Sequence, residues 1–187
     1  PSHLLHLAWV TEPGLFWNSP ENCAWLDASV ALFEAFAANG GKRFVGAGSC
    51  AEYDWSVALL DEATTPLRPA TPYGQAKNAA REQIEAQAKD FGVSFAWGRT
   101  FFLYGPGEKK GRLVGDVIRS LLRNQAIDTT EGLQVLDYMH AADVGSALAL
   151  RSPSPACRRV LEISGVWSEF VVEDDPSLRT LTARALQ

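Results

Sequence analysis

With 187 residues, 47% hydrophobic and 21% charged, the chain can bury one sizeable core and lacks the composition of a disordered or fibrous protein. A formal net charge of -5, with no run of basic residues interleaved with aromatics, argues against nucleic acid as a partner. The apolar stretches fall short of the roughly 20 residues a membrane span needs. The scattered Cys23, Cys50 and Cys157, without CxxC spacing, suggest neither a disulfide framework nor a zinc site, so a reducing cytoplasm is expected.

The chain opens directly on Leu4 to Val10, an almost continuous apolar run that reads as a central parallel strand. That abrupt start suggests a cut from a longer protein. A loop rich in Pro and Trp follows, and Ser19-Pro20 starts a helix that runs to the glycine stop at Gly40-Gly41. Lys42 to Ser49 reads as a second strand ending in small residues. A polar loop leads to a helix from about Tyr73 to Asp90, closed by Gly92. Val93 to Trp97 reads as a third strand, Gly98 to Gly111 as a glycine-rich loop and Arg112 to Asn124 as an amphipathic helix. Leu133 to Met139 alternates as a strand, Ala142 to Leu150 as a short helix and Val160 to Ile163 as a last strand. Alternating strands and helices predict a parallel sheet with crossover helices, hence a doubly wound, Rossmann-like α/β fold. Residues 1–110 are expected to form the cofactor-binding domain, and 111–187 a mixed region with substrate-binding elements.

Tyr73 and Lys77 stand four apart at the start of a helix, so both lie on one face. A nearby ammonium favours phenolate and makes a tyrosine, with an ordinary pKa of about 10, usable in proton transfer. The same spacing also occurs on solvated helix faces. Ser49 ends a strand, where ligand-binding residues of open parallel sheets sit, and can meet a substrate oxygen beside Tyr73.

Several motifs in order resemble the extended short-chain dehydrogenases, which include sugar-nucleotide epimerases, dehydratases and reductases. His6-Leu7-Ala8 is similar to that family's HLA strand end, and Gly48 to Tyr53 to its SSxxVYG segment, whose catalytic position is Ser49. Thr71-Pro72-Tyr73 through Lys77 resembles the PYxxSK helix, Arg99 to Gly107 the RxFNVYGPG loop, and Leu136 to Val144 the RDYIHVDDV segment. The resemblance implies an NAD- or NADP-dependent enzyme in which Tyr73, Lys77 and Ser49 are catalytic. It implies that Ala8, Tyr73, Lys77, Phe101 and Leu103 meet the cofactor, and that Ser49, Cys50, Phe102 and Arg112 meet the substrate, a nucleotide sugar. It also implies dimerisation through helices that include the tyrosine's.

Departures narrow the reading. The family's glycine-rich fingerprint does not follow the first strand, which resembles the fourth strand of the family. The isolated segment is therefore expected to be aggregation-prone and not to bind NAD(P). Cys50 and Ala51 replace the Asp-Glu pair of dehydratases, which disfavours dehydration. Phe102 and Leu136 stand where many members have an asparagine and an arginine. His140 is expected to be structural and no metal is expected. Trp9, Phe16, Trp17 and Trp25 are read as core packing, with a substrate pocket as the alternative. The rival functions are an inactive Rossmann-like binding module and a hydrolase using Ser49, the latter without a GxSxG elbow.

Overall fold

A computed structural model describes residues 1–57, 59–147, 150–151 and 172–173. The backbone divides into two compact units, Pro1–Phe101 and Phe102–Gln187. In the first unit, strand β1 (His3–His6) leads through a loop to helix α1 (Glu21–Ala38) and strand β2 (Arg43–Ser49). A 3-10 turn (Cys50–Glu52), helix α2 (Pro72–Phe91) and strand β3 (Ser94–Thr100) follow. The strands pair in parallel in the order β1-β2-β3. Parallel neighbours require crossovers, which α1 and α2 supply, and two right-handed crossovers in sequential order bring both helices to one face of the sheet.

The helices pack against each other and against that face. On α1 the buried residues Asn22, Ser29, Phe33 and Phe36 recur at helical spacing, as do Tyr73, Lys77, Ala80, Ile84 and Ala88 on α2. Phe33, Phe36, Ile84 and Ala88 enclose Phe44 of β2 in one core cluster. Farther along the same face, Gly46 and Gly48 leave room for the Trp97 indole, which a Cβ at either position would strike. Gly92, at φ 65°, ends α2 in the left-handed conformation.

In the second unit, strands β4 (Phe102–Tyr104) and β5 (Tyr138–His140) pair in parallel, with helix α3 (Leu113–Leu122) between them in sequence and helix α4 (Ala141–Ala147) after them. Strands β6 (Leu150–Arg151) and β7 (Val172–Glu173) form a further parallel pair.

The parallel α/β fold expected from the alternation is present, and three boundaries move. The first strand stops at His6, where its pairing with β2 ends, and Leu7 and Ala8 are exposed. The third strand extends through Gly98-Arg99-Thr100, because its ladder to β2 continues to Ser49↔Thr100, and β4 follows where a loop is expected. Of Leu133 to Met139 only the end is strand, since pairing begins where Tyr138 meets Phe102. Val160 to Ile163 lies outside the described residues.

Candidate active site

The start of α2 builds the site. The Thr71 side chain accepts from the Gly74 N–H at 3.1 Å and caps the helix, and Pro72 fits its first turn. That turn lies so close to the turn after β2 that a Cβ at Gly74 would collide with the Ala51 carbonyl oxygen. One helical turn later, Lys77 Nζ donates to the Ala47 carbonyl at 2.9 Å. The helix is thus attached to the end of β2 at two points. Tyr73 is 9% exposed and Lys77 3%, so the pair occupies a buried helix face and not a solvated one.

Ser49 ends β2 and caps the following turn. Its Oγ accepts from the Ala51 N–H at 3.2 Å, and its own N–H donates to Glu52 Oε1 at 2.8 Å. The cap uses a lone pair of the hydroxyl and does not consume its proton. Glu52 is fully buried and also accepts from Trp97 Nε1 at 3.1 Å and Arg99 Nε at 2.8 Å. The Arg99 guanidinium in turn lies 5.2 Å over the Tyr53 ring. Sequence reasoning missed this charged network; the signal was an acid, Glu52, directly after the small residues that end β2.

An aromatic wall surrounds Tyr73. Phe16, Trp17 and Trp9 meet its ring edge-on at centroid distances of 4.8, 5.5 and 6.4 Å. Asn22 fixes that wall: its Oδ1 accepts from Trp9 Nε1 at 2.9 Å, and its Nδ2 donates to the carbonyls of Phe16 and Ser19 at 2.8 and 3.0 Å. Lys77 Nζ stands 4.0 Å from the Trp9 ring centroid. Trp9 and Phe16 are therefore core, as expected, and they also line the tyrosine's surroundings.

Burial lowers the Lys77 ammonium to a pKa of about 8, against the opposing pull of the Glu52 carboxylate. Burial first, and the Lys77 charge second, push His6 down. Ser29 Oγ donates to the Trp25 carbonyl at 2.6 Å and so accepts from His6 Nε2–H at 2.9 Å, and the lowered pKa favours the neutral form of that ring. Burial also raises the Cys50 thiol to about 11, leaving it protonated at neutral pH.

Of the other predicted site residues, Ala8 is exposed just beyond β1, and Phe101 helps line a cavity of about 280 Å³ with Tyr53, Trp97 and Arg99. Phe102 and Leu103 lie in β4 and Arg112 immediately before α3, all in the second unit. His140 accepts from the Ala142 N–H at 3.2 Å and packs against Tyr104, consistent with a structural role. No metal-binding cluster of His, Cys, Asp or Glu occurs among the described residues, and no helix among them is long and apolar enough to cross a membrane.

A parallel sheet crossed by helices, with serine, tyrosine and lysine gathered at the carboxyl end of its middle strand, defines the Rossmann-like class. The model of the NAD dependent epimerase/dehydratase family matches residues 1–156, and the chain belongs to that family. It is 28% identical over 159 residues to a UDP-glucose 4-epimerase from Streptomyces lividans, covering 76% of this chain and 46% of that protein. Among solved structures it is similar to MoeE5 in complex with UDP-glucuronic acid and NAD, at 30% identity and TM-score 0.61, over 76% of this chain and 49% of that one. It also resembles the UDP-glucose 4-epimerase of Thermus thermophilus in complex with NAD, at 20% identity and TM-score 0.66, over 79% and 52% of the two chains. The chain thus spans about half the length of the relatives it matches.

Proposed function

We propose that the protein is an NAD-dependent epimerase of nucleotide sugars in which Tyr73, Lys77 and Ser49 handle the proton of one substrate hydroxyl. The observation that carries this reading is the burial of Tyr73 and Lys77 on one face of α2, at the strand end that bears Ser49. Tyr73 as phenolate takes the hydroxyl proton, and returns it when the oxygen is reduced again. Lys77 stabilises the phenolate through its charge. Ser49 donates its hydroxyl proton to the same substrate oxygen and holds it in place. The aromatic wall keeps water away from Tyr73.

The residues fit the ribose end of a nicotinamide cofactor: Lys77 has three donors, of which one is on the Ala47 carbonyl, suited to ribose hydroxyls. Such a cofactor, when bound, supplies the hydride acceptor and donor. In this reading Ala8 and Phe101 of the first unit also face it, and Cys50 faces the substrate. NAD is named in the complexes of MoeE5 and of the Thermus thermophilus enzyme, and those of MoeE5 also hold UDP-glucuronic acid or UDP-glucose. Water elimination is not supported, because neither Ala51 nor the protonated Cys50 thiol is an acid-base group at neutral pH. A homodimer in a reducing cytoplasm completes the proposal.

Tyr73→Phe tests it. In the complete protein, turnover of a UDP sugar should fall by roughly two or more orders of magnitude, with far-UV circular dichroism and NAD affinity nearly unchanged. Turnover within a few-fold of the parent would remove Tyr73 from the chemistry.

A further inference from the structure

The indole of Trp9 does more than fill the core. Its Nε1 is bound to Asn22, which is itself held by two backbone carbonyls, so the ring cannot turn freely. Trp25 stacks on it at 6.3 Å, and the Tyr73 ring stands edge-on to it. Over its face lies the Lys77 ammonium, 4.0 Å from the centroid, in a place almost closed to water. An ammonium so buried is disfavoured unless polar or π-electron partners replace its hydration. The Ala47 carbonyl and the Trp9 face are the direct partners.

We infer that Trp9 is a positioning residue: its fixed indole face holds the Lys77 ammonium charged and in place, one helical turn from Tyr73. The inference rests on the proposed roles of Tyr73 and Lys77 for its effect on turnover, but not for its effect on the lysine itself.

Among the other charged and titratable groups around Lys77, Glu52 alone favours the ammonium. On β1, His6 is neutral at its Ser29 contact, and were it protonated it would oppose the ammonium. In the turn after β2, Glu52 favours the ammonium, yet its carboxylate is bound to Arg99, whose positive charge offsets it. On α2 itself, Tyr73 is the partner that the charge serves. The π face is therefore the contact to weaken. Fluorination does so in graded steps with little change in shape, because it withdraws electron density from the ring.

Trp9 is replaced by site-specific incorporation of mono-, di- and trifluorotryptophan, and separately by Phe and Leu. Lys77 is titrated by NMR in the protein carrying 13C-labelled lysine, assigned with Lys77→Arg, and the pH profile of kcat/KM is recorded. Loss of the π face removes support for the charged form, so the lysine should deprotonate at lower pH. The titration should move acid-ward stepwise with fluorination, by about half to one pH unit in total, and the alkaline limb of kcat/KM should move with it. Trp9→Leu should lower kcat roughly 3- to 30-fold, and Trp9→Phe should restore part of the loss. A titration that stays fixed across the fluorinated series overturns the inference, even if Trp9→Leu is poorly folded, because those variants preserve the packing. Should the titration move while Tyr73→Phe retains turnover, the proposed chemistry fails and the role of Trp9 in holding Lys77 stands.

Discussion

Lys77 sits where its charge is costly. In water its ammonium would titrate near 10.5, and in the fold it titrates at about 8. Between those values the unfolded chain holds a proton that the folded chain has released, so stability rises with pH through that window. Below it both states are protonated, and the folded state carries the full cost of a buried cation. In the complete protein Lys77→Met should accordingly raise the urea midpoint at pH 7, remove the gain between pH 8 and 10 and weaken NAD binding. An unchanged or lower midpoint at pH 7 would mean that the Ala47 carbonyl and Trp9 repay the desolvation. Tyr73 and Lys77 were legible in the sequence because a four-residue spacing on a helix fixes their common face. Glu52 and Trp9 were not, because their partners, Arg99 and Lys77, are 47 and 68 residues away and spacing says nothing about them.

At the scale of elements, the first turn of α2, which carries Tyr73, abuts the turn after Ser49, and Gly74 sets how close the two come. Alanine is the better helix former by about 1 kcal/mol, so on a free helix Gly74→Ala would stabilise. Here the added methyl would meet the Ala51 carbonyl, a backbone atom that cannot step aside without moving the Ser49 turn. Overpacking of this kind costs about 1–3 kcal/mol, which exceeds the helix gain. In the complete protein Gly74→Ala should therefore lower the melting temperature and, by shifting the turn that carries Tyr73 against the turn after Ser49, lower turnover as well; a variant as stable as the parent would show that the two turns can part at no cost. The helices themselves were readable, and Gly92 marks the end of α2 by cap chemistry, whereas its start, read at about Tyr73, falls one residue earlier, after the Thr71 cap. Strand ends were less so. A parallel strand lasts as long as its neighbour pairs with it, and neither the stop after His6 nor the extension to Thr100 has a local cause.

For the whole molecule, the distribution of apolar surface decides behaviour in solution. The first unit encloses two core clusters, one between the helices and the sheet and one around Tyr73. The second unit differs: no residue of α3 is buried, and Leu121, Leu122, Leu133 and Val135 are each at least 70% exposed. Apolar residues crowded on one helix and the loop after it exceed the scattered exposure that ordinary surfaces carry. The sheet adds a second source of association, because β1 and β3 are its outer strands among the described residues and present unpaired backbone groups along their free sides. Repulsion from a net charge of -5 is modest against both. The 187-residue chain by itself should therefore self-associate, eluting above monomer mass by light scattering, binding an apolar dye and melting over a broad range. The double substitution Leu121→Lys with Leu122→Lys should shift it toward monomer without disturbing the first unit. A monodisperse parent chain with a sharp melt and no dye binding would show that these apolar side chains are covered by the chain itself.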